Sequence, residues 1–228
     1  MLIHILSLFP GYFKGPFDES MIKQARNKGL LEIELIDIRD FADLPHRRVD
    51  DRPYGGGPGM VMMPKPVMDA VQHVKSEGAH VVYLSPQGKP LNAKKSRCLA
   101  QKPHLILLCG HYEGIDQRAL DDVVDEEISI GDYVLTNGCL AAIVLVDSVV
   151  RFIPGVLGDE LSSVEDSFEE EGGIPLLDCP HYTRPEDFKG KKVPAVLLSG
   201  NHREIEKWRR EQKLKITAEK RPDLLKKN

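Results

Sequence analysis

Three glycine-containing loops follow candidate strands, and together they indicate a ligand pocket. "PQG" (86–88) follows "YLS", "HYEGID" (111–116) follows "LILLCG", and "ISIGDYVLTNG" covers 128–138. Ligands of open parallel sheets bind at the carboxyl ends of the strands, where backbone N–H and C=O groups are free to recognise them. Each glycine taken singly could serve only a tight turn. The occurrence of all three loops favours a pocket for one small ligand.

A fourth glycine-rich stretch, Arg52–Met60, reads "RPYGGGPGM". It lacks the Lys–Ser/Thr pair of a phosphate-binding P-loop, and the chain also lacks the GxGxxG fingerprint of dinucleotide-binding folds. These absences argue against NTP hydrolysis and against an ordinary Rossmann domain. We instead expect the loop to lie on a substrate side of the pocket, where glycine lets a ligand approach the backbone closely.

The elements that must position these loops are short apolar runs separated by helical patterns. The runs at 2–9, 31–38, 80–85 and 104–110 are typical of buried strands. Helical periodicity covers 64–76 and 92–101, and the apolar run 139–153 is long enough for a buried helix. Alternation of this kind predicts an α/β domain with a largely parallel sheet.

The charge pattern separates a second region from the first. Segment 156–178 holds eight acidic residues and no Lys or Arg, and its part 156–172 is predicted to be a mobile linker or loop. Beyond it, "SGNHREIEKWRREQKL" predicts a helix capped by Asn201 with Glu204. Arg203, Lys207 and Arg210 share one face of that helix. Such a stripe fits either a solvated face or a nucleic-acid contact.

Bulk properties exclude several classes of protein. The net charge of −4 argues against indiscriminate binding to polyanions, and no apolar run is long enough to span a bilayer. The apolar start is predicted to be a strand rather than a signal peptide. The four cysteines form no CxxC pair, which predicts reduced thiols in a cytoplasmic protein and argues against a zinc site.

Several motifs together resemble one known family. "YLSPQG", "LCGHYEGID", "SIGDYVL", "DSVVRFIPGVLG", "EDSF" and "LLDCPHYTRPE" occur in this order. They are similar to the motifs of bacterial tRNA (guanine-N1)-methyltransferases, which belong to the SPOUT class of methyltransferases. The resemblance runs from "LSLFP" near the start to "KRPDLL" near the end, so it covers nearly the whole chain.

The resemblance implies an α/β fold with two domains. Residues 1–157 would form a SPOUT domain with a deep trefoil knot, 158–172 a flexible acidic linker, and 173–228 a small helical tRNA-binding domain. Composition alone does not indicate a knot, because knots are rare exceptions to ordinary chain connections. The family also implies a cytoplasmic homodimer whose active sites are built from both chains, with no membrane or DNA partner.

The resemblance further implies that S-adenosylmethionine, the methyl donor, binds at the three loops. Backbone groups would recognise adenine while apolar side chains cover its faces, and Tyr112 is either a stacking partner or a packed core tyrosine. The implied donor-site residues are Leu84, Ser85, Pro86, Gly88, Gly110, Tyr112, Glu113, Ile130, Gly131, Asp132, Tyr133, Val134, Leu135 and Gly138.

The implied reaction is methyl transfer to N1 of guanosine at tRNA position 37, which supports reading-frame maintenance. Neutral guanine carries a proton on N1, so the reaction needs a base for that proton and a cation near O6. The resemblance gives these roles to Asp166 and Arg151. Glu113 is open between substrate orientation, a magnesium role and a structural salt bridge. The implied tRNA contacts are Asp50, Arg52, Gly59, His181, Arg184, Arg203, Lys207 and Arg210.

One stretch departs from the family pattern. This chain reads "NGCLAA" at 137–142, with Asn137, Cys139 and Ala141 where relatives usually carry glycine, glutamate and proline. Cys139 is expected to be a buried spectator thiol. Two alternatives stay open: a related SPOUT enzyme acting on ribosomal RNA or a ribose 2′-hydroxyl, and a non-catalytic RNA-binding module. The presence of both Arg151 and Asp166 favours catalysis.

Overall fold

The computed structural model describes residues 1–157 and 166–226. The chain divides into two compact units, Met1–Gly158 and Asp159–Asn228. Residues 158–165, the first half of the predicted linker, lie outside the described residues, so the domain boundaries stay a prediction. Within the described ranges no helix is both long and apolar enough to cross a membrane.

The first unit is built on a five-stranded parallel sheet. The strands of this unit, including two outside that sheet, are β1 Leu2–Ser7, β2 Glu32–Asp37, β3 Asp50–Asp51, β4 Val61–Met62, β5 Ala79–Pro90, β6 His104–Cys109 and β7 Glu126–Ser129. The sheet order is β2-β1-β6-β5-β7, and the short strands β3 and β4 pair antiparallel outside it. The α/β class with a parallel sheet is therefore confirmed.

Helices cover both faces of this sheet. They are α1 Ser20–Asn27, α2 Pro64–Val74, α3 Ala93–Ala100, α4 Gln117–Val123 and α5 Cys139–Val150. Every residue of the central strand β6 is buried, and its side chains alternate between the two apolar clusters. Leu105 and Leu107 pack with α1, α3 and α5, whereas Ile106 and Leu108 pack with α2 and α4. A strand buried on both faces explains the uninterrupted run "HLILLC".

Strand β5 contains a break in its pairing with β7, and the residues at this break contribute to the cavity described below. Leu84 and Lys89 both pair with Ile128 of β7, so residues 85–88 loop out of the strand between them. At Gly88 a Cβ atom would lie 2.4 Å from the backbone nitrogen of Ile128. Only glycine permits this approach, because a side chain would overlap the backbone of β7.

The second unit is a set of small elements around one long helix. They are β8 Glu169–Glu171, β9 Ile174–Leu176, β10 Asp187–Phe188, β11 Lys191–Lys192, α6 Ala195–Leu198 and α7 His202–Lys220. β8 pairs with β9, and β10 with β11, both antiparallel. β8 thus falls within the predicted linker. Helix α7 begins next to Asn201 as predicted, but the Asn201 side chain makes no capping hydrogen bond, so that part of the prediction is wrong.

Candidate functional site

A cavity of about 380 Å³ opens at the carboxyl ends of β5, β6 and β7. Its volume lies in the range typical of small-molecule sites. All three predicted loops reach it. The predicted donor-site residues that line it are Leu84, Ser85, Pro86, Gly110, Tyr112, Glu113, Ile130, Gly131, Tyr133, Val134, Leu135 and Gly138.

Two predicted donor-site residues do not line this cavity. Gly88 faces the backbone of β7, where its lack of a side chain lets β5 rejoin the sheet. Asp132 is exposed, although both of its neighbours in the third loop, Gly131 and Tyr133, line the cavity. Gly88 therefore has a structural role in the pairing of β5 with β7, and Asp132 lies at the surface.

Direct backbone contacts hold the second and third loops together. The N–H of Gly138 donates to the carbonyl of Gly110 over 2.9 Å, and His111 forms an isolated antiparallel bridge with Asn137. A Cβ at Gly138 would lie 3.0 Å from Cα of Cys109, and one at Gly110 would lie 2.8 Å from the Tyr83 hydroxyl. The glycines are thus needed for loop-to-loop packing as well as for access to a ligand.

His111 is a cavity residue that the sequence-based prediction omitted. Within residues 1–157 and 166–226, its Nδ1 is a buried side-chain atom with no hydrogen-bond partner. The ring packs edge-on against Phe9 and Tyr112, with centroid distances of 4.9 and 4.3 Å. A buried polar atom in a ligand cavity is available to a ligand, since leaving it unpaired costs free energy. The signal was present in "GHYEG", where histidine directly follows the strand-ending glycine.

Tyr83 forms part of the floor of the cavity. Burial, together with the nearby Glu127 and Cys109, raises the pKa of its hydroxyl to about 12. The phenol therefore stays protonated at neutral pH and can act as a hydrogen-bond donor or acceptor. Because the Tyr83 hydroxyl lies against Gly110, the Tyr83 side chain also helps to position the second loop.

Asn137, Cys139 and Ala141, which depart from the family pattern, make specific contacts at the start of α5. The Asn137 side chain accepts a hydrogen bond from the N–H of Cys139 over 2.9 Å, and Ala141 lines the cavity. Cys139 is buried, with its Sγ 3.1 Å from Oγ of Ser7. A hydrogen bond from Cys109 and another from Ser7 lower the pKa of Cys139 to about 7, whereas that of Cys109 is raised. Cys139 is therefore buried as expected and is held in a polar contact.

The glycine-rich loop Arg52–Met60 packs against the second cavity loop. The N–H of Glu113 donates to the carbonyl of Met60 over 2.9 Å, and that of Met62 donates to Gly114 over 2.9 Å. A Cβ at Gly59 would lie 2.4 Å from Oε1 of Glu113, a cavity residue. The loop thus lies beside the cavity rather than lining it, while Tyr54 at its tip is fully exposed.

The remaining predicted residues are divided between the two units. Asp50 lies in β3 and Arg52 follows that strand in the first unit, where the exposed Arg151 directly follows α5 as its C-cap residue. The second unit holds Asp166, His181, Arg184, Arg203, Lys207 and Arg210. Within that unit Asp166 begins a turn, in which its carbonyl accepts from the N–H of Glu169 over 3.4 Å.

Helix α7 carries its predicted basic stripe largely at the surface. Arg203, Lys207 and Arg210 are all exposed. Arg210 lies 3.7 Å from Glu171 of β8, so its charge is partly balanced within the unit. His181 likewise interacts with Asp178 over 2.7 Å. Arg203 and Lys207 contribute the positive potential of the stripe.

Glu113 gains no support as a magnesium ligand. Among the residues that the structure describes, the one group of three or more potential metal ligands is Asp178, Cys179 and His181, which excludes Glu113. The Glu113 carboxylate instead lies against Gly59.

Comparison with known proteins identifies relatives along the full chain. The family model described as "tRNA (Guanine-1)-methyltransferase TrmD" matches residues 1–227. A tRNA (guanine-N(1)-)-methyltransferase of Protochlamydia amoebophila is 72% identical over 225 residues, covering 99% of this chain and 100% of the relative. The enzyme of the same name from Geobacillus kaustophilus is 55% identical, with coverage of 99% and 91%.

A more distant relative agrees with these two. The tRNA (guanine-N(1)-)-methyltransferase of Clostridioides difficile is 50% identical over 232 residues, covering 100% of this chain and 99% of the relative. Identity of this level over complete chains exceeds what a shared fold alone would require. The chain therefore belongs to the tRNA (guanine-N1)-methyltransferase family.

Proposed function

We propose that this protein transfers a methyl group from S-adenosylmethionine to N1 of guanosine at tRNA position 37. The observation that carries the proposal is the cavity, which is lined by twelve of the fourteen residues that the family motifs assign to the donor. Family membership supports tRNA guanine as the acceptor. The physiological effect would be maintenance of the reading frame in the cytoplasm.

The cavity residues fit a donor of this kind. Its walls combine apolar side chains, such as Leu84, Ile130 and Leu135, with backbone groups of three glycine-containing loops. The unpaired Nδ1 of His111 and the protonated Tyr83 hydroxyl add polar groups at fixed places. S-Adenosylmethionine, when bound, supplies an electrophilic methyl group on a sulfonium sulfur. The protein's remaining task is to prepare the acceptor.

Asp166 and Arg151 are proposed to prepare the guanine. Asp166 takes the N1 proton as the methyl group arrives, and the Arg151 guanidinium donates to O6 as negative charge develops there. Arginine suits this role because it stays protonated and offers paired donors. Asp166 lies in a turn that is fixed within the second unit by the carbonyl contact to Glu169 and by Ser167, whose Oγ accepts from Asp178 N–H over 3.0 Å.

Two surfaces are proposed to contact the tRNA. One is the glycine-rich loop, whose Gly59 is packed on Glu113 and whose Arg52 and Tyr54 are exposed. The other is the second unit, where Arg184, Arg203 and Lys207 are exposed cations. Cations of this kind bind phosphates without reading sequence, so binding through them weakens as salt concentration rises.

The family's homodimer and knot are carried over to this chain as part of the proposal. Leu140 and Val144 of α5 are exposed and four residues apart on one helical face, so both are accessible to a second copy of the chain. A magnesium role for Glu113 also stays a prediction, to be checked by activity with and without a chelator.

One assay tests the reaction. The protein is incubated with methyl-labelled S-adenosylmethionine and with two tRNA transcripts that differ only at position 37, one having guanosine and the other adenosine. We expect label only in the guanosine transcript, recovered as 1-methylguanosine after digestion to nucleosides. Equal labelling of both transcripts, label recovered as a 2′-O-methyl nucleoside, or labelling of ribosomal RNA alone would overturn the proposal.

A further inference from the structure

The loop that follows β9 brings together three side chains of different metal-binding chemistry. A carboxylate oxygen of Asp178, Sγ of Cys179 and a ring nitrogen of His181 all lie within 4.8 Å of one another. Cys179 is buried, Asp178 is half-buried and His181 is exposed. The group is therefore buried at Cys179 and open to solvent at His181, so a metal ion in solution can reach it.

The loop that carries these side chains is held in place on both sides of the group. The N–H of Leu177 donates to Oγ1 of the buried Thr217 in α7 over 2.9 Å. The N–H of Asp178 donates to Oγ of Ser167 over 3.0 Å. Pro180 separates Cys179 from His181 and restricts the backbone between them. The donor atoms are thus positioned by contacts other than those they make with one another.

In the metal-free protein a hydrogen bond joins Asp178 and His181. Oδ2 of Asp178 lies 2.7 Å from Nε2 of His181, while Oδ1 accepts from the N–H of Cys179 over 2.6 Å. The second contact fixes the orientation of the carboxylate, as outer-shell hydrogen bonds do for metal ligands. A cation that replaced the shared proton would need Asp178 and His181 to separate slightly, which the exposed imidazole of His181 allows.

We propose that Asp178, Cys179 and His181 bind one Zn²⁺ ion, with water as the fourth ligand. Zinc binds thiolate at about 2.3 Å and imidazole or carboxylate at about 2.0–2.2 Å, which places tetrahedral donors about 3.3–3.8 Å apart. The present spacing needs little adjustment to reach this. A mixed sulfur, nitrogen and oxygen set selects zinc over Mg²⁺ or Ca²⁺, which prefer oxygen ligands only.

This proposal departs from the expectation of no zinc site that the cysteine spacing suggested. That expectation considered pairs of cysteines, whereas a site with a single thiolate gives no CxxC signal. The sequence "DCPH" brings three donors within four residues, and the hairpin and α7 then fix their arrangement.

The charges around the group are mixed. Burial and the neighbouring Asp178 raise the pKa of Cys179, whereas Arg209 and Lys213 lower it. Arg209 and Lys213 also repel a cation, but Lys213 is paired with Glu171 at 3.2 Å.

The test titrates the full-length, metal-free protein with Zn²⁺ against a chromophoric chelator, without tRNA or methyl donor. Cys179→Ser and His181→Ala should each remove one equivalent of bound zinc or weaken its binding at least about tenfold. The matched control is Cys98→Ser, because Cys98 is an exposed cysteine outside the group. Co²⁺ in place of zinc should give a thiolate-to-cobalt absorption band that Cys179→Ser abolishes.

The outcomes are decisive even if the buried Cys179 proves necessary for folding. His181 is exposed, with 75% of its side-chain surface accessible, so His181→Ala leaves the unit folded, as circular dichroism would verify. Unchanged zinc stoichiometry and affinity in His181→Ala, or no zinc retained by the wild type, would overturn the site. Because no RNA is present, either result is independent of the proposed methyl transfer.

Discussion

The two units position their polar groups by different means. In the first unit these groups surround the cavity, and in the second they lie on α7 and on the loop after β9. Around the cavity the contacts are between backbones, such as Gly138 to Gly110 and Glu113 to Met60. In the second unit single side chains do this work, with Thr217 and Ser167 holding the loop after β9. A buried parallel sheet supplies fixed strand ends in the first case. Small hairpins supply no such frame in the second.

The difference in core size accounts for this contrast. Two apolar clusters sandwich the sheet of the first unit. Among residues 166–226 only Leu176, Cys179 and Thr217 are buried. In the extensively packed first unit, glycines at close backbone contacts determine the loop geometry. In the sparsely packed second unit, individual hydroxyl and carboxylate groups determine it. Substitutions should therefore act through backbone clashes in the first unit and through lost side-chain groups in the second.

The largest expected effect comes from one side chain of the second unit. Asp166→Asn keeps the size of the residue but removes the proposed base, so turnover should fall about 10²–10⁴-fold. Donor binding, measured by calorimetry, should stay unchanged because Asp166 does not line the cavity. Glu170→Gln, an exposed acid four residues further on, serves as control and should retain activity. A near-normal rate in Asp166→Asn would contradict its assignment as base.

The corresponding change in the first unit acts on the backbone. Gly88→Ala places a Cβ 2.4 Å from the Ile128 nitrogen, so β5 or β7 must shift. We expect a loss of about 1–3 kcal/mol in the free energy of unfolding, measured by chemical denaturation. At Gly11 an added Cβ meets no atom within 4 Å, so Gly11→Ala should change stability by less than about 0.5 kcal/mol. Equal effects at both positions would show that the close approach is unimportant.

Gly59→Ala tests whether the glycine-rich loop acts on the tRNA side of the cavity. The added Cβ would displace the Glu113 side chain, and the positive φ of Gly59 adds strain. We expect kcat/KM for tRNA to fall about tenfold, with a smaller change in donor affinity. Gly57→Ala, also at positive φ but with no atom within 4 Å, separates strain from displacement. A greater loss of donor affinity than of tRNA use would assign the loop to the donor.

The smallest effect concerns a buried polar chain across the sheet. His104 lies 2.8 Å from His4 and 2.8 Å from Ser76, and His4 lies 3.1 Å from Glu34. Burial and His4 lower the pKa of His104. The unfolded chain therefore binds a proton near pH 6.5 that the folded chain does not, so stability declines as pH falls below about 6.5. This decline, measured between pH 7.5 and 5.5, should be smaller in His104→Gln; an unchanged slope would exclude His104 as its source.

The sequence was most informative where backbone packing decides the structure. Apolar runs ending in glycine predicted the sheet and the loops that surround the cavity, because both features follow from strand burial and turn geometry. It was less informative for His111, whose importance depends on an unpaired ring nitrogen that only coordinates reveal. The group of Asp178, Cys179 and His181 was missed for a similar reason, since its spacing depends on Ser167 and Thr217.

Two further differences have local causes. Gly88 belongs to the "PQG" motif but faces β7, because the strand resumes its pairing immediately after the loop. Asn201 adjoins α7 without a side-chain cap, although its residue type favours that role. Both depend on how neighbouring segments meet, which residue types alone do not determine.

The double pairing of Ile128 limits how the first wall of the cavity can change during evolution. Residues 85–88 leave and rejoin the sheet at the same partner residue, so the two ends of this loop are held together whatever lies between them. The point of return is the constrained position, because Gly88 has no room for a side chain beside Ile128. This wall should therefore diversify at residues 85–87, in residue type or in number, while position 88 keeps glycine.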